Sequence, residues 1–178
     1  THGSSIGGDA RDGRRSALVI GNGAYRQAPL KNPGRDAQAM AEKLQSLGYE
    51  VTLHRDTSLR TLTEALREFS LRSASSSVRL LYYAGHGVQA KGRNYLLPVD
   101  AEPSNEDEIP TQASDVSEFI HRLSALPGGQ NIVILDACRV NPFAGGVIVA
   151  PDGRRLKFRG APASGLAQLD APTGTLVA

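Results

Sequence analysis

The chain has 178 residues, 40% of them hydrophobic and 19 of them glycine, which suits one domain able to bury about 70% of its unfolded surface without staples. Twenty Lys and Arg against eighteen Asp and Glu leave a formal charge of +2, too balanced for a nucleic-acid or membrane-surface protein. The single cysteine, Cys138, excludes an intrachain disulfide framework and a multi-cysteine zinc site, and no apolar run approaches the roughly 18 residues that cross a bilayer. The first residue is Thr1, so a missing natural start is expected; the compartment, cytoplasmic or exported, stays open.

Residues 1–15 are rich in Gly, Ser, Asp and Arg without apolar period and read as a flexible arm. Ser16 to Gly21 is a short apolar run ended by Gly-Asn-Gly, the pattern of a buried strand. Asn32-Pro33 offers an N-cap and a first-turn proline for a helix with stripe Ala37, Met40, Ala41 and Leu44, closed by Gly48. Tyr49 to Leu53 is a second strand. Thr57 or Ser58 caps a second helix with stripe Leu62, Ala65, Leu66 and Phe69. Val78 to Ala84 is a third strand, expected to stop at Gly85-His86-Gly87.

Asn94 to Val99 is extended, and Pro98 assigns it to an edge or hairpin. Pro103 to Asp115 reads as an acidic loop. Ser114 is expected to cap a helix burying Val116, Phe119, Ile120 and Leu123. Asn131 to Leu135 is a further strand running into Asp136-Ala137-Cys138-Arg139. Residues 141–174 lack periodicity, and Thr175 to Ala178 begins another strand. Strands alternating with helices predict an α/β fold: a mostly parallel central sheet flanked by helices on both faces. In such a sheet the site lies off the C-terminal strand ends, where His86 and Cys138 both fall.

A thiolate attacks carbonyl carbon, and an imidazole in reach can take the thiol proton and return one to the leaving amine. Gly87 permits close approach, and its amide with that of Cys138 can hold an oxyanion. Taken singly, a cysteine after an apolar strand is more often a small buried hydrophobe, and a lone histidine is more often structural. Gly21-Asn22-Gly23 is not a dinucleotide fingerprint, because Arg26 stands at the third glycine position.

The local sequences decide between these readings. Tyr82-Tyr83-Ala84-Gly85-His86-Gly87 and Leu135-Asp136-Ala137-Cys138-Arg139 resemble the histidine and cysteine motifs of the caspase-like cysteine peptidases. Ala17-Leu18-Val19-Ile20-Gly21-Asn22, and Leu30-Lys31-Asn32-Pro33 with Asp36-Ala37, resemble the first strand and helix of the bacterial, metacaspase-like (orthocaspase-type) branch. His86 and Cys138 are 52 residues apart, matching the roughly 50 of caspases. The resemblance implies the caspase–hemoglobinase fold, with residues 16–140 as the catalytic large-subunit domain, 141–173 as a processing linker and 174–178 as the start of a small-subunit strand. It implies a Cys-His dyad: His86 as base, Cys138 as nucleophile, and Gly87 and Cys138 as oxyanion donors. No cofactor is required.

Caspases that cut after aspartate carry glutamine two residues before the nucleophile; here stands Asp136. Metacaspases, which cut after Arg or Lys, resemble the chain at that position, and their second pocket acid falls at Asp36. Two carboxylates in a partly buried pocket favour a basic P1 side chain; the plainer role for Asp36 is a local pair beside Arg35. The expected partners are therefore protein or peptide substrates with Arg or Lys at P1, with no nucleic acid and no membrane, together with a C-terminal small-subunit segment. Arg155 and Arg159 lie where the family carries processing sites. Some metacaspases need calcium, and Asp100 and Asp115 match two ligand positions. Ser114 stands where a paired carboxylate is expected, so Glu102, Glu106, Asp107 and Glu108 read better as a solvated loop. The rival class is a non-catalytic caspase-like regulatory or partner-binding module, or a large subunit inactive alone.

Overall fold

The computed structural model of the chain describes residues 13–26, 28–138, 147–149, 155–157 and 175–177. Residues 1–12 of the arm expected at 1–15, Arg159 and most of 141–174 therefore lie outside the described residues, and Arg15, the last residue of that arm, belongs to the first strand.

Five parallel strands form the main sheet: β1 (Arg15–Gly21), β2 (Tyr49–Arg55), β3 (Val78–Ala90), β6 (Gln130–Cys138) and β9 (Thr175–Val177), in the order β2-β1-β3-β6-β9. The apolar runs of β1 and β3, in the middle of the sheet, are buried on both faces, as the near-continuous hydrophobicity of Ala17 to Ile20 requires. On one face α1 (Pro33–Ser46) packs Ala37, Ala41 and Leu44 against Val19, Leu80, Tyr82 and Ala84. On the other, α2 (Leu59–Arg72) and α4 (Val116–Ser124) bury the predicted stripes against Leu18, Ile20, Leu81 and Val133. Phe69 and Phe119 join those two helices, ring centroids 6.4 Å apart, and burying each stabilises the fold by about 1.5–3 kcal/mol.

The α/β expectation holds, and several local readings change. First, β3 does not stop at Gly85-His86-Gly87 but runs on to Ala90. Residues 78–86 pair with β6, and 87–90 pair antiparallel with β4 (Arg93–Leu96) through a Lys91-Gly92 turn at φ 49° and 75°. Both central residues have positive φ, the geometry of a tight hairpin whose twist matches its strands. The glycines do not break the strand; they let it change partner. Second, the acidic segment holds a 3-10 turn (Glu106–Glu108), α3 (Ile109–Gln112) and β5 (Ser114–Asp115), anchored by fully buried Ile109. Third, Asp115 rather than Ser114 caps α4, accepting from Glu118 N at 3.1 Å, because Ser114 Oγ bonds Thr63 Oγ1 at 3.0 Å. Ser58 caps α2 as expected, whereas Asn32 has helical dihedrals and makes no side-chain cap. A separate hairpin joins β7 (Val147–Val149) to β8 (Arg155–Lys157).

Near the N-terminal strand ends, Arg79 is fully buried. Its guanidinium donates to Ser73 O (2.7 Å), Ala74 O (2.6 Å), Gly128 O (2.9 Å) and Asn131 Oδ1 (3.1 Å). One side chain thus ties the α2–β3 and α4–β6 loops together. Arg79→Met removes these donors but not their buried acceptors, and should lower stability by on the order of 3 kcal/mol or more. An unchanged denaturant midpoint in Arg79→Met would refute this assignment.

Candidate active site

The site residues lie where three parallel strands end. β1 ends at Gly21, and Asn22 continues the ladder by donating its N–H to Ala84 O (2.8 Å). β6 carries Asp136 opposite Ala84 and Cys138 opposite His86. Neighbouring strands run about 4.8 Å apart, so the two residues that sequence placed 52 positions apart become lateral neighbours. Gly87 follows, buried, where β3 leaves β6 for β4.

His86 is 4% exposed. Its Nε2 lies 2.7 Å from Ala28 O, in the loop between β1 and α1. A carbonyl only accepts, so the proton sits on Nε2 and the neutral imidazole presents Nδ1 as its acceptor. That Nδ1 is buried and has no hydrogen-bond partner among the described residues. Burial pushes the imidazole pKa below its usual range, and the Ala28 carbonyl opposes this only in part. A buried bare nitrogen on a neutral ring, in register with a thiol-bearing residue, is equipped to take a proton.

Asp36 and Asp136 line one cleft of roughly 220 Å³ together with Gly85 and Lys31. Tyr82 Oη donates to Asp136 Oδ2 at 3.2 Å. Burial, then Asp136, then Asp36 push the Tyr82 phenol up to about 12, so it remains a donor. The expected partly buried pocket is corrected in one respect: both carboxylates are exposed, as is Lys31. The reason is position, because Asp36 sits in the first turn of α1 and Asp136 near a strand end, beyond the core under α1.

A larger groove, about 450 Å³, lies between α2 and α4 and contains neither His86 nor Cys138; burial chemistry, not size, locates the site. The two calcium candidates serve different helices: Asp100 Oδ1 accepts from Leu59 N (3.0 Å), and Asp115 caps α4 and pairs with Arg93 at 2.5 Å. Among the described residues no three His, Cys, Asp or Glu side chains group as a metal site. Glu106 accepts from Lys91 N, Asp107 pairs with Lys91 Nζ, Glu108 accepts from Ser104 N, and Glu102 pairs with Arg26. Arg155 opens β8, while Arg159 lies outside the described residues. No helix among the described residues is long and apolar enough to cross a membrane.

Sequence reading missed Tyr25, Ala28 and the role of Tyr82 and Tyr83. The tyrosine pair stands inside the quoted histidine motif, so a signal existed. Ala28 acts through its carbonyl, which every residue possesses, and left none.

The family profile described as "Caspase domain" matches residues 14–169. The chain is 33% identical over 124 residues to human mucosa-associated lymphoid tissue lymphoma translocation protein 1, covering 69% of this chain and 15% of that protein. The mouse homologue is 32% identical over 124 residues, covering 69% and 14%. The chain therefore spans about one seventh of these relatives. Among solved structures, Geobacter sulfurreducens protein GSU0716 superposes with a TM-score of 0.55 at 18% identity, covering 70% of this chain and 50% of that one. The Drosophila initiator caspase Dronc gives 0.55 at 11% identity, covering 76% and 55%. At these identities the structural likeness concerns the fold.

Proposed function

The chain belongs to the caspase-domain family of peptidases, and from that premise we propose that it is a cysteine endopeptidase cutting after Arg or Lys, of the metacaspase-like branch. The observation that carries the dyad is the register of His86 with Cys138, joined to the bare, buried Nδ1 of a neutral His86.

Substrate lies extended across the strand ends, its basic side chain toward Asp36 and Asp136. The Cys138 thiol gives its proton to His86 Nδ1, and the thiolate attacks the scissile carbonyl carbon. The carbonyl electrons move to oxygen, held by the amides of Gly87 and Cys138. Collapse re-forms the carbonyl and breaks the C–N bond. The departing amine takes the proton from His86, leaving a thioester. His86 then draws a proton from water, whose oxygen attacks the thioester; collapse releases the acid and returns that proton to the thiolate.

Matched fluorogenic peptides ending in Arg, Lys or Asp, tested with and without calcium beside Cys138→Ala, decide the matter. Arg or Lys cleavage lost in Cys138→Ala is expected. Aspartate cleavage would keep the peptidase and overturn the acidic cleft. The openness of that cleft favours one alternative, a partner-binding caspase-like module. In that case Cys138 would not react with an arginyl electrophile.

The same preference extends to the chain's own basic cluster at Arg155 and Arg159. Arg155 pairs with Val149 in the β7–β8 hairpin, so cleavage there requires that short hairpin to open. Intact mass spectrometry should show fragments ending at one of these arginines in wild type and none in Cys138→Ala. Identical intact masses end the idea.

A further inference from the structure

The β1–α1 loop grips His86 at three points. Ala28 O receives Nε2–H at 2.7 Å. The Tyr25 ring lies against the imidazole, centroids 4.4 Å apart and tilted by 53°. Tyr25 Oη accepts the His86 N–H at 3.0 Å and donates its own proton to Leu97 O at 2.8 Å. From within β3, Tyr83 Oη donates to His86 O at 2.7 Å. Both backbone polar groups of His86 thus meet a tyrosine hydroxyl.

This arrangement is more than core filling. The β1 pairing of β3 ends at Ala84, so the His86 N–H lies beyond the last β1 register pair. The Tyr25 hydroxyl takes a strand partner's place, at a point where phenylalanine would fill the space but leave the donor unmet. The bracket also explains Gly85. A Cβ there would stand 2.6 Å from Tyr83 Oη and 2.9 Å from Tyr25 Oη. The loop is itself held, since Asp56 Oδ1 accepts from Gly23 N and Ala24 N at 2.9 Å each and Leu30 N donates to Gly23 O at 2.8 Å.

We propose that Tyr25 is the positioning residue of the dyad: its hydroxyl fixes the His86 backbone and its ring shields the imidazole, so that one ring plane and one tautomer persist with Nδ1 bare. The inference rests on the dyad reading above. It extends that reading by making the β1–α1 loop the second half of the base.

Among the described residues the titratable groups against His86 are the phenols of Tyr25 and Tyr83, and Cys138 stands at the paired backbone position of β6. Among the described residues no carboxylate or ammonium bonds the imidazole. Water reaching the ring is therefore the change that matters. It stabilises the imidazolium and returns the pKa toward the usual value near 6.5.

The test compares wild type, Tyr25→Phe and Tyr25→Leu as full chains, reading His86 by ¹⁵N NMR and arginyl-peptide cleavage by kcat and KM. His86 is assigned by its loss in His86→Ala. Wild type should show the Nε2-protonated tautomer. Tyr25→Phe keeps the ring and its packing, and should retain that tautomer with a lower kcat and unchanged KM. Tyr25→Leu should mix tautomers, raise the His86 pKa, and cut kcat by about 10²-fold at unchanged KM, the size expected of a misplaced catalytic group. A Tyr25→Leu protein whose His86 tautomer and titration match wild type overturns the inference. A wild type inert toward every peptide would instead sink the dyad reading, and the NMR arm would still decide what Tyr25 does.

Discussion

His86→Ala should lower kcat for arginyl-peptide cleavage by at least about 10³-fold, with KM within a few-fold of wild type. Two losses combine. An ordinary thiol has a pKa near 8.5 and is only a few per cent thiolate at pH 7, so without Nδ1 the nucleophile is scarce. The departing amine also loses its proton donor. The pH profiles separate this from simple misfolding. In wild type, burial holds the His86 pKa below its usual range, so the neutral base persists and the acid limb of kcat/KM should lie below about pH 6.5. In His86→Ala that limb should vanish, and the residual rate should climb with pH through the thiol range. A variant whose rate keeps the wild-type acid limb would show that another group is the base.

The same shift has a stability consequence. His86 binds a proton less readily in the fold than in the unfolded chain, so its contribution is complete above the unfolded pKa near 6.5. It is lost as pH falls through the depressed folded value. His86→Gln should flatten that part of the stability profile.

The second large effect concerns the cleft. Removing Asp136 or Asp36 alone should reduce kcat/KM for arginyl peptides by about tenfold, and removing both by about 10²-fold, with lysyl peptides following. The magnitudes come from exposure. Both carboxylates face solvent, where a charge pair at 4 Å is worth only about 1 kcal/mol. Hydrogen bonds to a guanidinium raise this toward roughly 1.5–3 kcal/mol per carboxylate. Asp136 should matter more, because Tyr82 holds one of its oxygens and orients the other. Lys31 on the same cleft subtracts from the field, so Lys31→Ala should improve arginyl turnover modestly. Equal kcat/KM in wild type and the Asp36, Asp136 double variant would remove both carboxylates from the recognition of P1.

Much of this was legible before the fold was known, for identifiable reasons. The stripes of α1, α2 and α4 are local, since residues three and four apart share a helix face whatever surrounds them. The apolar runs of β1, β3 and β6 announced strands, and that of β1 a buried one. Gly85-His86-Gly87 misled because glycine usually punctuates local structure, whereas here it lets β3 exchange β6 for β4 and admits the Tyr25 and Tyr83 hydroxyls. Ser114 misled because two adjacent residues can both cap, and a distant hydroxyl on Thr63 decided which one did.

By itself, then, the sequence determined the layered α/β architecture, the family, and the identity of His86, Cys138, Asp36 and Asp136 as the residues to watch, because side-chain type and short-range period are written in the chain. Only the tertiary structure decided that His86 stands opposite Cys138, that Ala28 O takes its Nε2 proton, that Tyr25 and Tyr83 bracket its backbone, and that Asp36 and Asp136 share one open cleft. Each of those depends on strand register or on a backbone carbonyl, N–H or hydroxyl brought from far along the chain. Such partners are chosen by packing, and local spacing carries no record of them.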